Sequence, residues 1–177
     1  MGAGAGTLAW VMDEGVVSPT IRPARPEEAA VLSDLAFRSK AHWGYDEAFM
    51  EACRSDLTVL PEDIAFQPHF VVEQGGQVVG FYNLAGEGSK AVLQNLFVAP
   101  EAIGSGLGKR LWRHMEGEAR RAGYSSILIH SDPHAEAFYL RMGARRVGST
   151  PSTVFPGRRL PLLRFDLTPQ KNSSTSR

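Results

Sequence analysis

The chain has 177 residues, of which 43% are hydrophobic, and its 19 basic side chains balance 19 acidic ones. That length suits one domain, the apolar content can fill a core, and the balanced charge does not predict a nucleic-acid-binding face. A single cysteine, Cys53, excludes an intramolecular disulfide and a cysteine-based zinc site, and fits a reducing compartment. We therefore expect a cytoplasmic protein with no metal and no nucleic-acid partner.

Both ends of the chain are predicted to be disordered tails. Residues 1–17 are rich in Gly and Ala, lack the basic residues of a signal peptide, and contain an apolar run too short to span a bilayer. Gly6 stands where a myristoylation signal has Ser or Thr. Residues 168–177 are polar and without periodicity. We thus expect one domain over residues 18–167 and no membrane contact.

Between the tails, hydrophobic periodicity and turn residues predict seven strands and four helices. Gly75 and Gly76 mark a hairpin, and Asp132 with Pro133 marks the N-cap and first turn of a short helix. The elements are a strand at 20–24, helices at 25–41 and 46–57, strands at 69–74, 77–86 and 90–98, a helix from Leu107 to a cap at Gly123, a strand at 125–131, a helix at 134–142 closed by Gly143, and strands at 144–149 and 160–167. This order predicts a mixed α/β domain with one crossover.

A glycine-rich turn joins the strand at 90–98 to the long helix. Its three glycines alternate over Gly104–Gly108, a spacing that lets backbone N–H groups approach a phosphate. Two common phosphate loops do not fit, because the dinucleotide fingerprint needs a glycine at Lys109, and the Walker loop needs one at Ile103 and a hydroxyl residue at Arg110. The turn therefore belongs to another kind of phosphate site.

Two stretches resemble the signatures of the GNAT superfamily of N-acyltransferases. "FVAPEAIGSGLGKRLW" resembles the motif between the family's fourth strand and the next helix, and "DPHAEAFYLRMGA" resembles its second signature. Gly106 and Gly108 match the family pattern, whereas Ile103 replaces its Gln or Arg and Asp132 its usual Asn. The resemblance covers about Thr20 to Leu167 in element order.

The resemblance implies a mostly antiparallel, seven-stranded mixed sheet with about four helices, splayed between strands four and five. It also implies acetyl-CoA as co-substrate, with its pyrophosphate held mainly by main-chain N–H groups of the turn. The residues it points to for coenzyme A are Phe97, Val98, Ile103, Gly104, Ser105, Gly106, Leu107, Gly108, Lys109 and Asp132. The implied activity moves an acetyl group to a primary amine by direct attack through a tetrahedral intermediate.

That chemistry needs a neutral amine, a stabilised oxyanion and a proton for the departing thiolate. In the family the residue matching Tyr139 gives the sulfur its proton, and a tyrosine hydroxyl is suited to this because it stays protonated at neutral pH. A backbone N–H near Phe97 or Val98 would meet the oxyanion. The alternative for Tyr139 is ordinary packing beside Phe138.

A general base is harder to assign. Where several family members have a Glu on the fourth strand, this chain has Gln94 and Asn95, whose amides cannot take a proton at neutral pH. His42 and His130 are the nearest substitutes by type, although each also fits a structural role. Deprotonation relayed by water would need neither of them.

The acceptor amine and the assembly state stay open. Trp43 and Tyr45 are candidates for the acceptor pocket, as is the pair of histidines above, although two aromatics after a helix also fit a hydrophobic cap. Arg158 and Arg159 could contact an acidic acceptor. The acceptor is a small-molecule or a peptide amine, and the resemblance leaves a homodimer open. A non-catalytic acyl-CoA sensor or interaction module on the same fold remains the alternative, because the strand-four carboxylate is missing.

Overall fold

A computed structural model describes residues 18–167, and both predicted tails lie outside the described residues. The strands are β1 Thr20–Pro23, β2 His69–Gln74, β3 Gln77–Glu87, β4 Lys90–Val98, β5 Ser126–His130, β6 Arg145–Pro151 and β7 Arg159–Asp166. The helices are α1 Ala29–Ala41, α2 Glu47–Ala52, α3 Pro61–Phe66, α4 Leu107–Arg121 and α5 Glu136–Arg141, with 3₁₀ turns at Pro26–Glu28 and Pro100–Ala102. None of the helices in this range is long and apolar enough to cross a membrane.

The predicted mixed sheet is confirmed. Its strand order is β1-β2-β3-β4-β5-β7-β6, and every neighbouring pair is antiparallel except β4 and β5. The β2–β3 hairpin turns at Gly75 and Gly76, whose φ angles of 60° and 77° suit the tight turn that the sequence predicts. The long crossover between the parallel strands contains the glycine turn and α4.

The helices between β1 and β2 differ from the prediction. The second helix was expected over 46–57 but ends at Ala52, and α3 was not expected at all. Pro61 begins α3, and the side chain of Asp63 accepts a hydrogen bond from the Leu60 N–H at 3.0 Å. With six residues, α3 is too short to show a helical period in the sequence.

The sheet splays where the resemblance predicts. Pairing between β4 and β5 begins at Lys90 opposite Ser126 and stops at Leu93 opposite Ile129. One residue later the register with β3 shifts, because Asn83 faces Asn95 while Leu84 faces Leu93, so Gln94 is an extra residue. Such a β-bulge bends a strand, and here it turns the second half of β4 away from β5.

Two apolar cores sandwich this sheet. On one face α4 buries Leu107, Leu111, Met115 and Ala119, the four residues whose spacing predicts an amphipathic helix. On the other face α1 buries Leu32, Leu35 and Ala36 against Val71 and Phe81 of the sheet. Because both faces are covered, the splay is the place where the sheet opens towards a ligand-sized space.

A buried ion pair fixes β1 and the turn that follows it. Arg22 donates to Glu28 at 2.7 and 3.0 Å and to Glu73 at 2.7 Å, and the Arg25 backbone N–H donates to Glu28 at 2.8 Å. The hydrogen bonds from Arg22 lower the pKa of Glu28 to about 2, outweighing the opposing effect of burial. The charged form of Glu28 is therefore favoured in the folded state.

Replacing Glu28 with Gln is expected to lower the free energy of unfolding at neutral pH by about 2 to 3 kcal/mol. The pKa of Glu28 lies below its usual value of 4.5, so this stabilisation is present above pH 4.5 and is lost as the pH falls towards 2. Urea midpoints of both proteins should therefore converge in acid. Glu27→Gln, at an exposed neighbour, is the control, and a pH-independent difference for Glu28→Gln would contradict the prediction.

Candidate active site

The splay between β4 and β5 opens into a cleft of about 1080 Å³. Its walls are the second half of β4, the glycine turn, α5, the ends of α1 and α2, and the loop before β7. The predicted site residues that line it are Phe97, Val98, Ile103, Gly104, Gly106, Gly108, Lys109, His130, Asp132, Tyr139 and Trp43. The sequence therefore identifies residues from four separate segments that the fold brings to one cleft.

The glycine turn presents main-chain N–H groups at the edge of the cleft. Gly106 has a φ of 88°, and a Cβ placed there would meet no atom within 4 Å, so the backbone conformation rather than space requires glycine. The N–H groups of Leu107, Gly108 and Lys109 begin α4 and have no hydrogen-bond acceptor among residues 18–167. Together with the helix dipole, they form an anion-binding end to the cleft.

Two residues predicted for the turn, Ser105 and Leu107, do not line the cleft. The Ser105 hydroxyl donates to the Ala102 carbonyl oxygen at 2.6 Å, and the Leu107 side chain is buried in the core under α4. Gly108 has a packing reason to be small, since a Cβ there would lie 3.3 Å from the Phe138 ring. The turn and α5 are thus packed together.

Tyr139 lies on α5 with its ring buried between two aromatic neighbours. The ring centroids are 5.9 Å from Trp112 and 5.3 Å from Phe138. Burial, and then the negative charge of Asp132, raises the pKa of Tyr139. Its hydroxyl has no hydrogen bond to any residue that the structure describes, and the residue lines the cleft. This places a protonated donor, not used by the fold, at the cleft.

Asp132 does not cap α5, contrary to the sequence prediction. The helix begins at Glu136, three residues later than the expected first turn allows, and the Asp132 carboxylate accepts from Lys40 Nζ at 2.7 Å and the Tyr45 hydroxyl at 3.0 Å. The His134 N–H also donates to it at 2.9 Å. Burial alone would raise the pKa of Asp132, but the Lys40 ammonium and these donors hold it below its usual value.

Aromatic rings and a second cation extend this network along one wall. Tyr45 stacks on Phe49 at 4.1 Å, and Phe49 stacks on Phe155 at 4.4 Å. Arg158 donates to the Tyr45 hydroxyl at 3.0 Å and lies 4.7 Å from the Phe49 ring centroid. Tyr45 therefore supports the wall from behind instead of lining the cleft, whereas Arg158 lines it.

The two predicted histidines differ in their position relative to the mouth of the cleft, which carries aromatic residues. Trp43 stacks on His134 with ring centroids 5.5 Å apart and planes parallel to within 1°. His42 is exposed, contacts the edge of Trp43 at 5.4 Å, and does not line the cleft. His130, at the end of β5, does line it. Of the two proposed substitutes for a general base, the fold brings one to the cleft.

A second cavity of about 500 Å³ continues from the cleft at the bend of β4, and we call it the polar groove. Leu93, Gln94, Asn95 and His130 border both spaces. The rest of its wall includes Asn83 and His69 from the sheet, and Asp63 from α3 with Gln67 directly after it, while Asp56 also borders both spaces. Among residues 18–167, no three His, Cys, Asp or Glu side chains are grouped to hold a metal ion.

Sequence reasoning missed several of these residues. Lys40 and His134 line the cleft but carry no local motif, and His69 begins an apolar strand that gives no sign of a polar neighbour. Their importance depends on contacts across the fold, such as the pairing of Lys40 with a carboxylate 92 positions away. Only a structure shows such pairs.

Comparison with known proteins gives a family and relatives. Residues 29–157 match the family model described as an acetyltransferase (GNAT) domain. A "5-NmdU N-acetyltransferase" of Pseudomonas phage PaMx11 is 29% identical over 134 residues, which span 73% of this chain and 89% of that protein.

Solved structures share the fold. PaiA N-acetyltransferase of Thermoplasma acidophilum, in complex with coenzyme A, superposes with a TM-score of 0.72 at 19% identity, over 84% of this chain and 99% of that one. YncA of Salmonella typhimurium, with its cofactor acetyl-CoA, gives a TM-score of 0.60 at 22% identity, over 85% and 94% of the two chains. Both relatives have a thioester or thiol form of coenzyme A bound to this fold.

Breaking the pair of Lys40 and Asp132 is expected to destabilise the fold. Both side chains are less than one fifth exposed, at 16% and 18%, so Asp132→Asn leaves a buried ammonium without its counter-ion. We expect a loss of about 2 kcal/mol in the free energy of unfolding, which Lys40→Met in the same chain partly restores. Asp34→Asn, which breaks the exposed pair with Arg38, should change stability by less than ~0.5 kcal/mol. Additive effects of the first two changes would contradict the coupling.

Proposed function

The chain belongs to the GNAT acetyltransferase family, and we propose that it transfers the acetyl group of acetyl-CoA to a primary amine on a small molecule or peptide. One observation supports this above all others. The free N–H groups that begin α4 and the unpaired hydroxyl of Tyr139 belong to one cleft, where Gly108 of α4 packs against Phe138, the neighbour of Tyr139. A binder of anions alone would not need that hydroxyl.

The anion-binding end of the cleft suits the pyrophosphate of coenzyme A. Positive φ angles at Gly104 and Gly106 aim consecutive N–H groups outward, and Lys109 adds a cation at the same place. The strand edge at Gln94–Val98, which has no partner in β5, leaves main-chain groups free for the amides of the pantetheine arm. The residues present therefore fit acetyl-CoA as a substrate.

The acetyl transfer then follows from three groups. The amine nitrogen attacks the thioester carbonyl carbon, and the carbonyl oxygen becomes an oxyanion that a backbone N–H near Phe97 or Val98 stabilises. A C–N bond forms and the C–S bond breaks, while Tyr139 gives its proton to the sulfur. Burial raises the pKa of Tyr139, so the hydroxyl keeps its proton at neutral pH and is available as a donor to the sulfur as negative charge develops there.

A non-catalytic acyl-CoA sensor is the second candidate. It is favoured by one observation: the bend of β4 carries the amides of Gln94 and Asn95, where a carboxylate could have deprotonated the amine directly. Assaying thiol release from acetyl-CoA against a panel of amines separates the two. Release with one class of amine supports the enzyme, whereas saturable acetyl-CoA binding without release with any amine supports the sensor.

The glycine turn can be tested by adding bulk and charge where the phosphates would lie. Gly106→Glu is expected to weaken acetyl-CoA binding by more than ~100-fold, because its carboxylate opposes the phosphates and blocks the N–H groups. Isothermal titration calorimetry measures this. Gly88→Glu is the matched control, since Gly88 also has a positive φ, 58°, with open space around it, but lies in the β3–β4 turn. Equal affinities of the two variants would remove the turn from the binding site.

Tyr139→Phe removes one hydroxyl and little packing. We expect kcat to fall by roughly 10²-fold, the scale of one acid catalyst, while the affinity for acetyl-CoA is unchanged. Tyr124→Phe is the control, because Tyr124 packs on the same core outside the cleft. Pre-steady-state rates should show the loss in the chemical step itself. A chemical step of unchanged rate would mean that water protonates the thiolate.

A further inference from the structure

We propose that His69 accepts, through water in the polar groove, the proton that the acceptor amine loses before it attacks the thioester. The inference rests on the proposed function and fills the place of the general base. It concerns a residue whose sequence context, the start of an apolar strand, gives no sign of chemistry.

His69 begins a polar row that crosses three strands. It lies opposite Asn83 of β3, and Asn83 lies opposite Asn95 of β4, so the three side chains share one face of the sheet. The row ends at the bend of β4, where the polar groove meets the cleft. Its side chains thus connect a buried imidazole to the place where the sheet opens.

Its hydrogen bonding fixes the tautomer of the His69 ring. Nδ1 lies 3.0 Å from the Gln67 carbonyl oxygen, and since a carbonyl can only accept, Nδ1 must carry the hydrogen. Nε2 then has a lone pair, and it makes no hydrogen bond to another residue within 18–167. The residue is 96% buried, with 4% of its surface exposed, and lines the polar groove. A neutral imidazole in this state can accept a proton.

The amides around it hold the row in place but cannot replace it. Asn83 Nδ2 donates to Gln94 at 2.7 Å and to Gln67 at 3.4 Å, while Asn83 Oδ1 accepts from Asn95 at 2.8 Å. Both hydrogens and the oxygen of Asn83 are therefore used. Because amides do not take protons near neutral pH, the cluster is a rigid wall, not a base.

Three other titratable groups line the polar groove. The Asp63 carboxylate accepts from the Leu60 N–H at 3.0 Å, and the Asp56 carboxylate accepts from the Thr153 hydroxyl. Both are weaker bases than imidazole, and each is occupied by a donor. His130 lies at the rim, exposed. His69 differs from all three because it is buried, oriented and open at one nitrogen.

The proton route has room for water. Two strand spacings separate His69 from β4, about 10 Å between backbones, so a direct contact with an amine at the bend is too far for one hydrogen bond. The polar groove has a volume of about 500 Å³ and offers several hydrogen-bond partners, which is the setting that ordered water needs. One or two waters in line would span the gap.

Protons and bonds balance across the transfer. The ammonium gives one proton to water as that water gives one to Nε2 of His69, and the resulting imidazolium later returns it to solvent. The free amine attacks the carbonyl carbon, forming the C–N bond. When the C–S bond breaks, Tyr139 protonates the sulfur, and the second proton lost from the nitrogen replaces the one that Tyr139 gave.

The test is the pH dependence of kcat/KM for His69→Gln, measured with whichever amine the panel identifies. We expect kcat to fall by roughly 10 to 10²-fold, with KM for acetyl-CoA unchanged. The part of the wild-type pH dependence that comes from protonation of the base should be lost, leaving a rate that follows only the supply of free amine. Alkaline pH should return part of the rate, because it supplies free amine.

His114→Gln is the matched control, since His114 is half-buried on the opposite face of the sheet, where it is bonded to the Tyr82 hydroxyl at 2.8 Å. It should keep the wild-type pH profile. If none of the amines in the panel makes the wild-type protein release thiol, the proposed function fails. If one amine does, and His69→Gln keeps the wild-type pH profile with it, only the role of His69 fails. Should His69→Gln not fold, His69→Ala with added imidazole replaces it: a rate that rises with the free base supports the proposal, and no rise overturns it.

Discussion

One extra residue in β4 determines where this molecule can do chemistry. Gln94 has no counterpart in β3, and the bulge it creates ends the pairing with β5 after Leu93. Without that bend β4 and β5 would stay paired, the sheet would have no opening, and the glycine turn would face solvent on its own. Both cavities of the site share residues at this bend, so the position of a single unpaired residue decides where the two cavities meet.

The splay is held open at both ends by contacts between residues that are far apart in the sequence. At the turn, the first residues of α4 pack against α5 through Gly108 and Phe138, which are 30 positions apart. At the mouth, Lys40 from α1 pairs with Asp132 from the segment after β5, under a stack of aromatic rings. A cation, a carboxylate and three rings thus replace the missing strand pairing as the link between the two halves of the sheet.

The sequence could predict the features whose signals lie within one short segment of the chain. The turn, the strand order around it and the buried face of α4 depend on glycine conformation and on period, which a single segment displays. Asp132 shows the limit: Asp followed by Pro is a good local cap signal, yet α5 begins only at Glu136, and the carboxylate accepts from a lysine 92 residues away as well as from the nearby His134 N–H. In the same way, nothing beside His69 reveals that Asn83 will lie opposite it. Tertiary partners, not propensity, decide such side chains.

The way the two cavities open has a consequence for the order of events in a reaction. The cleft is walled by the glycine turn and α5, whereas the polar groove is walled by α3 and the start of β2, and they share the bend of β4 together with His130, Asp56 and Thr153. A donor bound in one and an acceptor bound in the other would meet at this shared wall, so neither would have to leave before its partner arrives. The kinetics that suit this layout are those of a ternary complex, in which the acetyl group crosses from one substrate to the other without resting on the protein.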